Sequence, residues 1–308
     1  MALAVVYGFA LRERTDRHSP VPPPQCSRSN AKRAPNTHDL RRNGAPTRLP
    51  AALAGEATHT GPPDFIGVGT QRSGTTWWFR TLLDHPGIRA PRKGRKELHF
   101  FDRFGAERLT DADIAAYHAL FPRRPGQLAG EWTPRYMLDF WTPPLLRRAA
   151  PEAKLLVMFR DPIERFRSGV PHRQSRSESA RIQTVTADAV ERGRYASQLE
   201  RLRASHPDAE IIVLQYEKCV ADPVGQYKRT LRFLGADDTH EPVASDKPRG
   251  TSQASSKKEL WPDLVAGLQA TLEPEVVRLA AMEPEIDVSL WRNFAHLATA
   301  PSHDAVGA

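Results

Sequence analysis

The sequence predicts an α/β fold, a single P-loop-type domain with a central, mostly parallel sheet flanked by helices. Three observations predict it. From Pro62 onward, short apolar runs ending in Gly or charge alternate with amphipathic stretches, the rhythm of fully buried strands and the helices that cover them. Between a predicted strand and a predicted helix, the run Gly69-Thr70-Gln71-Arg72-Ser73-Gly74-Thr75-Thr76 sets two glycines five apart before a hydroxyl residue. The composition, 40% apolar and 26% charged over 308 residues, is that of a globular chain with room for one large domain.

Asp64–Gly69 reads as the first buried strand and Thr75–Asp84 as a helix with Trp78, Leu82 and Leu83 on one face. Lys154–Arg160 is a central strand, and Pro162–Arg173 opens a helix with Pro at its first position. Ala187–Ala204 is expected as one long helix, and Glu210–Gln215, with four aliphatic residues in a row, as a third strand. Pro223–Leu234 is a helix stopped by Gly235. A polar loop, Lys247–Lys258, precedes helices at Pro262–Leu272 and Pro274–Met282.

Residues 1–60 are rich in Pro, Arg, Ser and Asn and lack sustained periodicity, so they are expected to be a disordered tail, with the domain at 61–300 and a disordered end at 301–308. The tail carries nine Lys/Arg against four Asp/Glu, so most of the net +8 lies there and the body is only mildly basic. That suits a binder of small polyanions better than a nucleic-acid protein. Cys26 and Cys219 are far apart and belong to no Cys/His cluster, which excludes a disulfide scaffold and leaves no metal expected. The longest apolar run, Met1–Leu11, is short of the roughly 20 residues of a membrane span. A cytoplasmic protein is the expectation.

Glycines let the backbone at 69–76 curl so that successive N–H groups face inward, and the following helix adds its positive end, making an anion cradle. Thr75 stands where a nucleotide-hydrolysing loop has Lys, which argues against an NTPase. Arg72 is the remaining cation of the loop.

Gln71-Arg72-Ser73-Gly74-Thr75-Thr76-Trp77 resembles the phosphosulfate loop of the sulfotransferases that use 3'-phosphoadenosine 5'-phosphosulfate (PAPS). Lys96-Glu97-Leu98-His99-Phe100-Phe101-Asp102 is similar to a Lys-Glu-x-His-Phe-Phe-Asp stretch of their heparan sulfate branch. Glu131–Tyr136 resembles that branch's Glu-Lys-Thr-Pro-x-Tyr, with Trp132 in place of the Lys. Arg160-Asp161-Pro162-Ile163-Glu164-Arg165 with Ser168, Gly193-Arg194-Tyr195 with Gln198 and Leu199, and Glu210–Leu234 extend the likeness, which covers roughly residues 62–297.

The resemblance implies PAPS as co-substrate, no metal, and transfer of its sulfuryl group to a hydroxyl or amine of a small metabolite or glycan. It implies that Ser73, Gly74, Thr75 and Thr76 hold the 5'-phosphate and that Arg72 faces the sulfuryl group, as a fixed fork of donors where the heparan branch usually has Lys. Arg160 and Ser168 would bind the 3'-phosphate, with Lys247, Arg249 and Gly250 either closing over it or forming a disordered basic loop. Arg165 is expected on a solvated helix face. Glu97 is the implied base and His99 the alternative; in an extended segment the two face the same way. Lys96 then points elsewhere or restrains the co-substrate. Trp132 and Tyr136 either wall the acceptor cleft or pack in the core, and Phe100 and Phe101 are core. Competing functions are a P-loop kinase or other NTP user, and a basic nucleic-acid-binding protein, for which no motif is present. Acceptor identity and oligomeric state are not encoded in these motifs.

Overall fold

The computed structural model describes residues 58–174, 182–242 and 259–299. Five strands form a wholly parallel sheet: β2 (Phe65–Gly69), β3 (Ile88–Arg89), β5 (Leu128–Trp132), β6 (Lys154–Phe159) and β7 (Ile211–Gln215), in the order β3-β5-β2-β6-β7. A separate two-stranded antiparallel ladder joins β1 (His59–Thr60) to β4 (Pro122–Arg123).

The helices are α1 (Thr75–Leu83), α2 (Asp111–His118), α3 (Thr142–Ala149), α4 (Pro162–Gln174), α5 (Ile182–Glu191), α6 (Tyr195–Ser205), α7 (Tyr216–Ala221), α8 (Pro223–Leu234) and α9 (Pro262–Met282). Strand alternation divides the core between the two sheet faces. Ile66, Val68, Leu155, Val157 and Phe159 face one way, onto Leu199 and Leu202 of α6 and Leu272 and Val276 of α9. Phe65, Leu156, Met158, Ile212 and Leu214 face the other, onto Trp78 and Leu82 of α1 and Tyr227 and Leu231 of α8.

Helix ends follow local chemistry. Asp222 caps α8 by accepting from the Gly225 N–H, Pro223 takes the first helical position, and Gly235 closes the helix at φ 78°. Asp161 starts α4 in the same way, its Oδ1 accepting from the N–H groups of Ile163 and Glu164 at 2.9 and 3.2 Å. Its Oδ2 accepts from both the backbone and side chain of Asn293, at 3.0 and 2.8 Å. Asp161 is thereby fully engaged in tying the end of β6 to the C-terminal segment.

Two expectations are corrected. The single helix expected at 187–204 is two, α5 and α6, separated by a turn at 192–194 in which the Gly193 N–H bonds the Val190 carbonyl at 2.7 Å. The start of α6 is then capped by Glu275, which accepts from the Ser197 N–H at 2.9 Å and its hydroxyl at 2.6 Å. Conversely, the two helices expected on either side of Leu272–Pro274 are one, α9, with Pro274 inside it. One lost N–H bond is tolerated because the buried face of Leu268, Leu272, Val276 and Leu279 runs through the proline without a break.

Candidate active site

Three of the loops that follow parallel strands, those after β2, β5 and β6, converge at the C-terminal edge of the sheet, where open α/β sheets place their ligands. The loop after β2 is stitched down by Thr70, whose hydroxyl meets Ser73 Oγ at 2.7 Å and the Met158 carbonyl of β6 at 2.9 Å. Gly74 takes φ 90° at the start of α1, and a Cβ there would come within 2.6 Å of the Tyr216 ring, so only glycine fits. No side chain caps α1. Its first N–H groups therefore face the loop with no intrahelical acceptor, an anion site in geometry and in dipole.

Arg72 and Arg160 stand beside this cradle. Arg72, at φ 70°, donates from Nε and Nη2 to Ser168 Oγ at 3.2 and 3.0 Å. Arg160 leaves the end of β6, stacks its guanidinium 4.6 Å from the Tyr216 ring centre, and donates from Nη1 to the Arg72 carbonyl at 3.5 Å. Burial and the nearby Arg160 charge both lower the Arg72 pKa. The buried Nε of Arg160 has no hydrogen-bond partner. Two guanidiniums this close, one with an unused donor, are suited to sharing an anion. Arg160 also reaches Glu164 at 3.7 Å, a carboxylate that Arg167 and Arg292 approach at 2.8 and 3.4 Å.

Arg165 corrects the expectation of a solvated face. It is completely buried and donates from Nη2 to the Ala189 carbonyl of α5, anchoring α5 on α4. Its pKa is lowered by that burial.

The segment after β3 supplies an ammonium, a carboxylate and an imidazole beside this loop. Lys96 Nζ donates to Thr75 Oγ1 at 3.1 Å and to Glu97 Oε1 at 2.8 Å, bridging the anion loop and the carboxylate. Glu97 Oε2 lies 3.3 Å from His99 Nε2, and His99 Nδ1 lies 2.9 Å from Asp102 Oδ2. A carboxylate–imidazole–carboxylate chain results. The segment departs from the extended conformation expected of it, because His99 adopts φ 52°. A non-glycine residue costs about 1–2 kcal/mol there, so the turn is held by its surroundings.

Electrostatics separate the three groups. Burial acts to raise Glu97, but the hydrogen bond with His99 and the charge and hydrogen bond of Lys96 overcome it and hold Glu97 down at about 2. The His99 pKa is raised by its hydrogen bond with Glu97, against burial and with help from Asp102. Burial lowers the Lys96 pKa, with Glu97 opposing it. Glu97 is thus anionic at neutral pH, and an imidazole between two carboxylates is better suited to donate protons than to accept one.

Trp132 and Tyr136 do not wall a cleft; both are wholly buried. The Trp132 indole lies against Gly67, where a Cβ would come within 2.1 Å of the ring, and its Nε1 donates to the Gly69 carbonyl at 3.0 Å. It braces the underside of the anion loop. Tyr136 donates to Glu131 Oε1 at 3.2 Å and accepts from the Phe100 N–H at 3.0 Å. Phe101 is in the core, as read from sequence, and Phe100 packs partly buried against it. Lys247, Arg249 and Gly250 lie outside the described residues.

Three functional contacts carried no sequence signal of their own. Asp102 on His99 was visible only as the last letter of a motif. Thr75 on Lys96 joins residues 21 apart in sequence. Glu131, visible only as the first letter of a motif, is completely buried at the end of β5 and collects four hydrogen bonds, and burial pushes its pKa up to about 7 against all four.

A parallel α/β sheet carrying an anion loop, paired arginines and a carboxylate–histidine centre is an architecture suited to group transfer. The chain resembles the sulfotransferases: a family model described as "Sulfotransferase family" matches its residues 99–241. It is 31% identical over 187 residues to the mouse heparan sulfate glucosamine 3-O-sulfotransferase 3A1, covering 56% of this chain and 46% of that protein. It is 30% identical over 211 residues to the human heparan sulfate glucosamine 3-O-sulfotransferase 6, covering 64% and 58%. The chain thus spans about half the length of these relatives. Among solved structures, a sulfotransferase from Alicyclobacillus acidocaldarius superposes with a TM-score of 0.60 at 27% identity, covering 75% of this chain and 98% of that one. No helix among the described residues is long and apolar enough to cross a membrane.

Proposed function

We propose that this protein transfers a sulfuryl group from PAPS to a hydroxyl or amine of a glycan or small-metabolite acceptor. The observation that carries the proposal is the position of Lys96, whose ammonium joins the anion loop at Thr75 to the carboxylate of Glu97. One cation thereby touches both the place where a donor phosphate would lie and the group that would deprotonate an acceptor.

Each residue has a role in that reaction. The N–H groups of Ser73, Gly74, Thr75 and Thr76 cradle the 5'-phosphate. Arg160, with its unused Nε, and Arg72 with Ser168 meet the 3'-phosphate and steady the nucleotide. Glu97 takes the proton of the acceptor oxygen as that oxygen bonds to sulfur. The S–O bond to the phosphate breaks in line, and its electron pair stays on the phosphate oxygen, where Lys96 offsets the new charge. A carboxylate near pKa 2 is a weak base, and the same ion explains how it is strengthened. As Lys96 turns toward the phosphosulfate, Glu97 loses one of the two partners that depress it. His99, held by Asp102, keeps the carboxylate oriented.

The chain leading into the site is cationic. Arg89, Arg92, Lys93 and Arg95 lead directly into Lys96 with no acidic residue among them, which favours acceptors that carry anionic groups, as the heparan sulfate named in the relatives does. An NTP-using reading is weaker. It needs an acid free to hold magnesium, yet both oxygens of Asp161 are committed to α4 and Asn293. Parallel assays with 35S-labelled PAPS and γ-32P-labelled ATP plus magnesium, on one panel of sulfated and unsulfated glycans, test the proposal. Label is expected to pass from PAPS and not from ATP. Phosphate transfer from ATP, with none of sulfur, overturns it.

A further inference from the structure

We infer that Glu131 is the positioning residue of this site: from behind the reacting groups, it fixes the backbone of residues 96–100 and thereby the Glu97–His99–Asp102 chain. The inference rests on the preceding reading only in calling those groups reactive.

Four donors converge on the buried carboxylate. Oε2 accepts from the Thr133 hydroxyl at 2.5 Å and the Leu98 N–H at 3.2 Å; Oε1 accepts from the Tyr117 hydroxyl at 2.7 Å and the Tyr136 hydroxyl at 3.2 Å. Because Thr133 and Tyr136 spend their hydrogens on Glu131, their oxygens turn toward the segment as acceptors. Thr133 Oγ1 takes the N–H groups of Leu98 and His99 at 3.0 and 3.4 Å, and Tyr136 takes that of Phe100 at 3.0 Å. The Trp132 N–H adds a bond to the Lys96 carbonyl at 3.0 Å. Three consecutive N–H groups, Leu98 to Phe100, are thus received by oxygens whose orientation one carboxylate sets.

That arrangement holds His99 at φ 52°, and this turn brings its ring between Glu97 and Asp102. Above about pH 7 Glu131 is ionised and accepts at all its positions; a glutamine would present an NH2 to at least one of the same donors and force hydroxyls to rotate. The titratable groups facing Glu131 are Tyr117 from α2, Tyr136 from the loop after β5 and, by charge, Lys96. His99 faces Glu97 and Asp102, the latter approached by Arg135 at 3.9 Å.

The test is NMR titration of the His99 ring in the full chain, assigned with His99→Asn, together with amide exchange at Leu98 and Phe100, for the wild type, Glu131→Gln and Thr133→Val. We expect the raised His99 pKa to fall back toward the ordinary imidazole value in both variants. The Leu98 amide should exchange about tenfold faster, the effect of one hydrogen bond lost. Binding of adenosine 3',5'-bisphosphate, the probe for the anion loop, should change by less than about threefold, because no Glu131 contact reaches that loop. An unchanged His99 titration in both variants overturns the inference, and if Glu131→Gln does not fold, Thr133→Val decides it by the same criterion. A wild type that fails to bind the nucleotide would count against the sulfuryl-transfer reading alone and leave the loop result standing.

Discussion

Glu97→Gln is expected to lower turnover by about 10²- to 10⁴-fold, the usual worth of a general base, while adenosine 3',5'-bisphosphate binds as before. The amide keeps the shape of the side chain and can still accept from Lys96, so the segment holds its place. What disappears is the capacity to take a proton at neutral pH. A second signature accompanies the loss: His99 owes its raised pKa first to Glu97, so its titration should move down in the variant. The competing assignment, His99 as base, reverses the order of rates. Near-normal turnover in Glu97→Gln beside an inactive His99→Asn, on one accepted substrate, would establish it.

Lys96→Gln should cost about 10²- to 10³-fold in turnover, as removal of one preorganised donor to a developing anion typically does, with little change in product-nucleotide affinity. Arg72→Ala should do the opposite, weakening the nucleotide more than the chemical step. The motif alone puts Arg72 at the sulfuryl group. In the folded chain its guanidinium lies on Ser168 beside Arg160, and the ammonium between loop and base is that of Lys96. Dissociation constants and single-turnover rates for the two variants separate the roles. A rate defect in Arg72→Ala larger than in Lys96→Gln would return Arg72 to the reacting centre.

The contrast between these two cations shows where sequence ceases to determine geometry. Strands β2, β6 and β7 were legible because both faces of a parallel strand are buried, which writes them as apolar runs. Strand β5, Leu-Ala-Gly-Glu-Trp, is interior to the sheet but was not legible, since Gly130 and Glu131 interrupt its pattern. The glycine frame of the anion loop, Arg160 at a strand end and Glu97 beside His99 could all be read, because backbone curl and short-range spacing are local properties. Arg165 could not, as a charged residue at helical spacing reads as solvated until α5 covers it. Nor could the burial of Trp132 and Tyr136, which depends on Gly67 in a neighbouring strand and on the phenol pair around Glu131.

The proposed function requires that this cradle take a nucleotide phosphorylated at both the 3' and 5' positions. Calorimetric titration of the wild-type protein with adenosine 3',5'-bisphosphate, AMP, and ATP with magnesium tests it most directly. Charge-assisted pairing of a 3'-phosphate with Arg160 and Arg72 is worth about 1.5–3 kcal/mol per hydrogen bond to a charged group. The bisphosphate should therefore bind at least tenfold more tightly than AMP, with the advantage lost in Arg160→Ala. Equal affinity for the bisphosphate and AMP, or tighter binding of magnesium ATP, would contradict the account.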